Sequence, residues 1–223
     1  MALLAAFSVV VSAQQPSYAP PRLVHGDLPA QAPVTVVAGG EVLIEATVDK
    51  SGTLIRPIVL RSTPPFSNLV LDVVTRWRFA PAREITPDRK ELPAEGTVLI
   101  AAIYRPPTLM NGPTVGNPPS DLAVASPNAP YPVSTVVPSY PPQALNSSTV
   151  MFEVSLDEAG HVTSARAVAS DPAFDAAARD ALVQWKFRGA SLRGRPVPST
   201  AFVIFSFSQP VTLAPPNTKP NTK

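Results

Sequence analysis

The sequence predicts an α+β fold: two tandem ββαβ modules, each a three-stranded antiparallel sheet with one helix packed on a face. Three observations carry this. A set of residues recurs at a fixed offset of 108 positions, period-two apolar alternation marks the strands, and an apolar stripe of helical spacing follows each strand pair. The implied organisation is an apolar leader at 1–13, a first module at 22–105, a Pro-rich linker at 106–137, a second module at 138–210 and a tail at 211–223.

The recurrence is gapless over most of each module. Asp49-Lys50-Ser51-Gly52 returns as Asp157-Glu158-Ala159-Gly160; Ser62, Pro64 and Phe66 return as Ser170, Pro172 and Phe174; Trp77-Arg78-Phe79 returns as Trp185-Lys186-Phe187. In strand one, Val42, Ile44, Ala46 and Val48 alternate with more polar neighbours, as do Val150, Phe152, Val154 and Leu156, which is the pattern of a half-buried strand. The D-x-x-G that follows is a tight turn, with Gly52 and Gly160 free to take positive φ. A second strand then spans 53–61 and 161–169, and Pro57, which has no N–H, makes the first of these irregular or an edge.

Thr63-Pro64 and Asp171-Pro172 read as helix starts, a capping side chain before proline at the first helical position. Phe66, Leu69, Val70, Val73, Val74 and Trp77, and in the second copy Phe174, Ala177, Ala178, Ala181, Leu182 and Trp185, form the stripe of an amphipathic helix. The tryptophans on that stripe read as core anchors. Basic residues at its end (Arg76, Arg78, Lys186, Arg188) suit the negative pole of the helix. Last strands follow a proline-bearing loop, at 97–104 and 201–207; the offset drops there, so the first copy carries extra loop residues around 83–89.

Composition excludes several functions. With no cysteine, disulfides and thiolate chemistry are absent. A net charge of +2 with no basic tract argues against nucleic acid as a partner. Proline, at 29 residues, is far above the usual share of roughly 5% and lies mainly between periodic segments. His25 and His161 are isolated, which suits exposed or structural roles. No nucleophile–base pair, phosphate loop or paired carboxylates stand out, so the chain reads as a binding protein without cofactor or metal rather than an enzyme. Glu153 reads as a lone acid on the outer face of its strand.

The run from Met1 to Ala13 is too short for a bilayer span of about 20 residues. Val11-Ser12-Ala13 has the small-residue pattern of a signal-peptide cleavage site, although a positive n-region is missing; a cleaved signal, a truncated membrane anchor and a buried apolar terminus are the three readings. The tail, with Asn-Thr-Lys twice, reads as disordered.

The second copy resembles the C-terminal domain of TonB. The likeness rests on Tyr140-Pro141-Pro142-Gln143-Ala144-Leu145, on the D-x-x-G-x-V of Asp157 to Val162, on the Phe174 to Leu182 helix running into Trp185-Lys186-Phe187, and on Gly194-Arg195-Pro196-Val197 before an apolar last strand. It covers 138–208, and 34–104 less completely, although Trp77-Arg78-Phe79-Ala80-Pro81-Ala82 follows the family's W-x-F-x-P-A well. Two departures stand out: Gly189 replaces a favoured proline, and the first copy has only Leu28-Pro29-Ala30 in place of the Tyr-Pro lead-in.

The resemblance implies a periplasmic or envelope location and a part in energy-coupled outer-membrane transport. It implies that a short extended segment of a transporter is captured as an added strand, with backbone hydrogen bonds supplying affinity. Carried onto this chain, the binding edge is Phe202, Val203, Ile204, Phe205, Ser206 and Phe207, with Tyr140 and Pro141 beside it. The family's membrane anchor and long spacer have no counterpart between 14 and the first module, so an inner-membrane tether depends on the fate of 1–13.

The last strand is apolar on both faces, and two readings remain open. Both faces are covered by the rest of the chain, or the strand is a sticky edge for a peptide or a second copy in a homodimer. If the two last strands pair with each other, the edge is used up, and an envelope scaffold of two packed modules gains over peptide capture.

Overall fold

Strands form where the alternation places them, and one carboxylate closes each hairpin. In the computed structural model, which describes residues 17–33, 35–36, 38–86, 88–108, 114–116 and 125–210, Gly40–Val48 pairs antiparallel with Leu54–Arg61, and Ser148–Leu156 with Val162–Ala169. Asp49 Oδ1 accepts the N–H groups of Ser51 and Thr53 at 2.9 Å; Asp157 Oδ1 accepts those of Ala159 and His161 at 2.9 and 2.8 Å. Gly52 and Gly160 have φ of 84° and 90°, and each is also pressed against the strand after the helix. A Cβ on Gly52 would lie 1.9 Å from the Phe79 carbonyl oxygen, and one on Gly160 2.5 Å from that of Phe187. The leader at 1–13 and the tail at 211–223 lie outside the described residues.

The helices are α1, Phe66–Val74, and α2, Asp175–Leu182. Both begin later than the proline signals predict, and neither has a side-chain cap. The predicted capping groups tie the loop to the sheet: the Thr63 hydroxyl donates to the Glu41 carbonyl at 2.9 Å, and Asp171 accepts from the Ser148 hydroxyl at 2.6 Å while its other oxygen accepts the Ala173 N–H of the turn before the helix at 3.1 Å. Phe66, Val70, Val73, Val74 and Trp77 are buried on one side, and Phe174, Ala178, Ala181, Leu182 and Trp185 on the other; both tryptophans lie just past the helix ends.

Gly96–Arg105 and Ser199–Phe207 each pair antiparallel with the first strand of their own half, then parallel with one another, from Ala201 opposite Leu99 to Phe207 opposite Arg105. The result is one six-stranded sheet in the order Val162–Ala169, Ser148–Leu156, Ser199–Phe207, Gly96–Arg105, Gly40–Val48, Leu54–Arg61. Among the described residues the fold is thus α+β with two helices and mostly antiparallel pairing, but with a single mixed sheet where two separate three-stranded sheets were expected.

Parallel pairing at the junction has a geometric consequence. The rotation that carries one half onto the other runs along the strands and turns the sheet over, so α1 and α2 cover opposite faces. The two cores record this. Met151, Phe202 and Ile204 of the second half lie in the core beneath α1; Leu43, Leu99, Ala101 and Ile103 of the first half lie in the core beneath α2. Strands expected to be half-buried are therefore buried on both faces, down to Glu45 and Glu153.

The stretch 106–137 is not wholly linker. Tyr131–Val137 is a strand paired with Lys186–Arg188, and Arg22–His25 pairs likewise with Arg78–Ala80, each with a bulge at the same place. The tryptophans hold these lead-in strands: Trp77 Nε1 donates to the Asp27 carbonyl at 2.9 Å, and Trp185 Nε1 to that of Val136 at 3.0 Å. Between helix and last strand each half adds a small hairpin, Ala82–Ile85 with Glu91–Ala94 and the shorter Ala190–Leu192 with Arg195–Val197, which is where the extra residues of the first copy sit. No helix among the described residues is long and apolar enough to cross a membrane.

Phe202 tests the fused core. It is fully buried and meets Trp77 and Phe79 edge-on at 5.7 and 5.6 Å between ring centroids, although those rings belong to the other half. Phe202→Ala is expected to cost about 3–5 kcal/mol, as large-to-small core changes do. Urea unfolding followed by both circular dichroism and tryptophan fluorescence should shift as one transition. Two separated transitions would show that the halves fold independently.

Candidate partner-binding site

The residues assigned to a binding edge are interior. Phe202 to Phe207 belong to the third strand of six, hydrogen-bonded to Ser148–Leu156 on one side and Gly96–Arg105 on the other. Val203, Phe205 and Phe207 face the core beneath α2, and Phe202 and Ile204 the core beneath α1. Ser206 is 2% exposed and accepts from the Thr149 hydroxyl at 3.2 Å. Tyr140 is buried, donates to the Asn146 carbonyl at 2.7 Å, and lies edge-on to Phe174 with the Arg105 guanidinium 5.6 Å from its ring; Pro141 is buried beside it. The strand is therefore not an open edge in this arrangement. Apolar side chains on both faces require two covering layers, and each half supplies one.

The backbone edges of this sheet are the outer ones, and they differ. Leu54–Arg61 carries Pro57, which lacks an N–H; Arg56 beside it has φ 49°, and the pairing with Gly40–Val48 shifts register twice. Such irregularity discourages another strand from adding. Val162–Ala169 has neither proline nor glycine; its pairing also shifts register twice, but near its ends, and is regular from Ala167 to Ser164. Its Ala165 carbonyl accepts from Arg179 of α2 at 3.0 Å, and that guanidinium also lies 5.0 Å from the Phe152 ring centroid.

Two acids missed as a pair lie in the sheet. Glu45 and Glu153 are 108 positions apart, 6% and 4% exposed, in the same slot of equivalent strands. A recurring acid in an otherwise apolar strand was the available signal. Glu153 pairs with Arg166 and, at 3.7 Å, with Arg22 of the other half. Glu45 accepts the Ser126 N–H at 3.0 Å, while the Ser126 carbonyl accepts from Arg188 at 2.8 Å and the Pro127 carbonyl from the Ser191 N–H at 2.8 Å. The segment before the second lead-in strand is thus pinned to both halves, with the buried carboxylate satisfied through hydrogen bonds.

A cleft of about 190 Å³ between the halves is lined by Tyr18, Thr47, Arg56, Glu95, Thr97 and Asn128 among others, below the 300–1,000 Å³ of ordinary ligand pockets. Burial there, with Glu84 nearby, pushes the Tyr18 phenol up to about 12. Among the described residues no three His, Cys, Asp or Glu side chains are grouped as metal ligands.

Residues 136–208 match the family described as Gram-negative bacterial TonB protein C-terminal. The matched stretch runs from the end of the second lead-in strand through the last strand of the sheet. No curated protein and no solved structure matches the chain.

The turn aspartates set an acid limit on stability. The Ser51 hydroxyl bonded to Asp49, and the His161 N–H bonded to Asp157, lead the interactions that hold both carboxyls below the usual range. A depressed folded pKa gives stabilisation that is complete above the unfolded value of about 3.9. It is lost as pH falls through the folded value. The double variant Asp49→Asn/Asp157→Asn should melt below the parent near neutral pH and converge on it below about pH 4. Thermal midpoints measured across that range check this; a gap independent of pH would contradict it.

Proposed function

With residues 136–208 a domain of the TonB C-terminal family, we propose that the chain is a TonB-like binding protein of the cell envelope, associated with energy-coupled outer-membrane transport. The single observation that carries this reading is the family match on the stretch that forms the second half of the sheet and α2. Residues 22–105 are, in this reading, a diverged second copy. The shared 108-residue offset, the matching aspartate turns and the equivalent tryptophan-held lead-in strands support that. The work is recognition of a protein segment rather than catalysis, in the periplasm or at the envelope, whether as a cleaved soluble form or through an N-terminal anchor.

Strand addition is the physical mode that suits such a module, since backbone hydrogen bonds bind an extended segment with little demand on sequence. At Phe202–Phe207 it would require Gly96–Arg105 to leave the centre of the sheet and expose two cores. Addition at an outer edge requires no such opening. A second reading, an envelope scaffold of two packed modules without a transport role, is favoured by the same pairing of the last strands.

Photo-crosslinking of the full chain in intact envelopes, with capture analysed by mass spectrometry, separates the two. The transport reading expects periplasm-facing segments of energised outer-membrane transporters among the adducts. Adducts confined to envelope structural components would leave the scaffold.

A further inference from the structure

We infer that the outer strand Val162–Ala169 is a docking edge for an extended peptide carrying a carboxylate, and that Arg179 reads that carboxylate. The inference rests on the binding-protein reading above and names its site.

The first support is an asymmetry between duplicated edges. At an offset of 108, Ala165 occupies the position that Pro57 holds in the first half. Pro57 cannot donate to a ladder, and its neighbour Arg56 is in the left-handed region. Ala165 has its N–H, in a stretch of regular register. One edge of the sheet lacks a donor at the position where the other has one, although there the carbonyl is engaged by Arg179.

The second support is the direction of the backbone groups. The Asp157 N–H bonds to the His161 carbonyl at 3.0 Å, so the backbone of Asp157 faces the outer strand. Along an extended strand this orientation alternates, which turns Ser155 and Glu153 outward to their partners Ser164 and Arg166. Ala165, between those partners, directs its N–H and C=O away from the sheet. Arg179 donating to the Ala165 carbonyl agrees with that direction.

Charge chooses the occupant. The cation on the α2 side of this edge is Arg179, an exposed side chain on the face where Ala165 packs. Arg166 lies on the opposite face, engaged with the buried Glu153. A second copy adding here antiparallel would bring Arg179 toward its own equivalent, a like-charge contact. A peptide strand with a carboxylate opposite Ala165 would instead place it beside a guanidinium suited to bidentate pairing. The small side chains of Thr163, Ser164, Ala165 and Ala167 let a second backbone approach.

The probes are three nine-residue peptides of alternating threonine and valine with glutamate, glutamine or lysine at the centre. Binding to the full chain is measured by fluorescence anisotropy, and the footprint by amide hydrogen exchange. The glutamate peptide should protect residues 162–169 and bind about three- to fivefold more tightly than the glutamine one, the scale of an exposed ion pair. Arg179→Glu should reverse the preference in favour of lysine. Ala165→Pro should weaken binding at least about tenfold by removing the outward donor.

Because that proline could unfold the half, Arg179→Glu, on an exposed helix position, carries the test independently. The inference is overturned by no protection at 162–169, by protection at 54–61 or 202–207 instead, by a preference that Arg179→Glu leaves unchanged, or by protection that appears with protein concentration alone, which would mean a second copy. Transporter crosslinks that persist in Arg179→Glu and a folded Ala165→Pro overturn the edge and leave the transport function standing. Crosslinks absent from the parent, with the peptide footprint intact, remove the transport function and leave the edge.

Discussion

The parallel pairing of Gly96–Arg105 with Ser199–Phe207 is the contact on which the rest of the molecule depends. It sets the two halves in one sheet and, because the strands run the same way, sends their helices to opposite faces. Neither half then has a complete core of its own. The face of the first half turned away from α1 presents Leu43, Leu99, Ala101 and Ile103, and these are covered from the side of α2. The corresponding face of the second half presents Met151, Phe202 and Ile204, covered from the side of α1. Parallel pairs sit in sheets covered on both sides, and here the coverage follows from the duplication.

What was legible in the sequence was what short periods encode. Alternation located the strands of both hairpins, the D-x-x-G pairs located their turns, and the helical stripe picked out most of the buried residues of α1 and α2, with Leu69 and Ala177 only half-buried and the buried Ser67 outside it. Pro57 correctly marked an irregular edge. What was not legible depended on contacts between segments far apart. The lead-in strands lack alternation because Pro132 and the bulges at Val24 and Val133 interrupt it, and the indoles of Trp77 and Trp185 bond to the chain two residues past the paired ones. The capping reading failed at Thr63, whose hydroxyl bonds to the first strand of its half, so tertiary contact displaced a local motif; Asp171 does both, accepting the Ala173 N–H with one oxygen and the Ser148 hydroxyl with the other.

The site is the instructive case. A last strand apolar on both faces allowed two interpretations, and composition could not separate them, because a strand sealed between two layers and an edge awaiting a partner need the same side chains. Neighbouring strands decide, and a single sequence does not state which strands are neighbours. The recurring acid at Glu45 and Glu153 carried more information than either residue alone. An acid repeated in a slot that ends up 6% and 4% exposed must have partners in both copies, and the partners differ: a backbone N–H for one, arginines for the other.

Duplication also poses a problem that the outer strands answer. A sheet built from two equivalent halves has two equivalent edges, and open edges on both sides would let molecules join without limit, since a contact that leaves a free edge at each end does not close. Divergence at two adjacent positions breaks that equivalence. Pro57 and the left-handed Arg56 spoil the ladder on one side, while Ala165 keeps its backbone groups on the other and Arg179 stands over it. A strand adding at Val162–Ala169 meets the donor that Pro57 denies at the other edge, and repulsion between guanidinium groups discourages that strand from being another copy of the same edge. The duplication thus spends its internal edges on stability and leaves its two outer edges unequal.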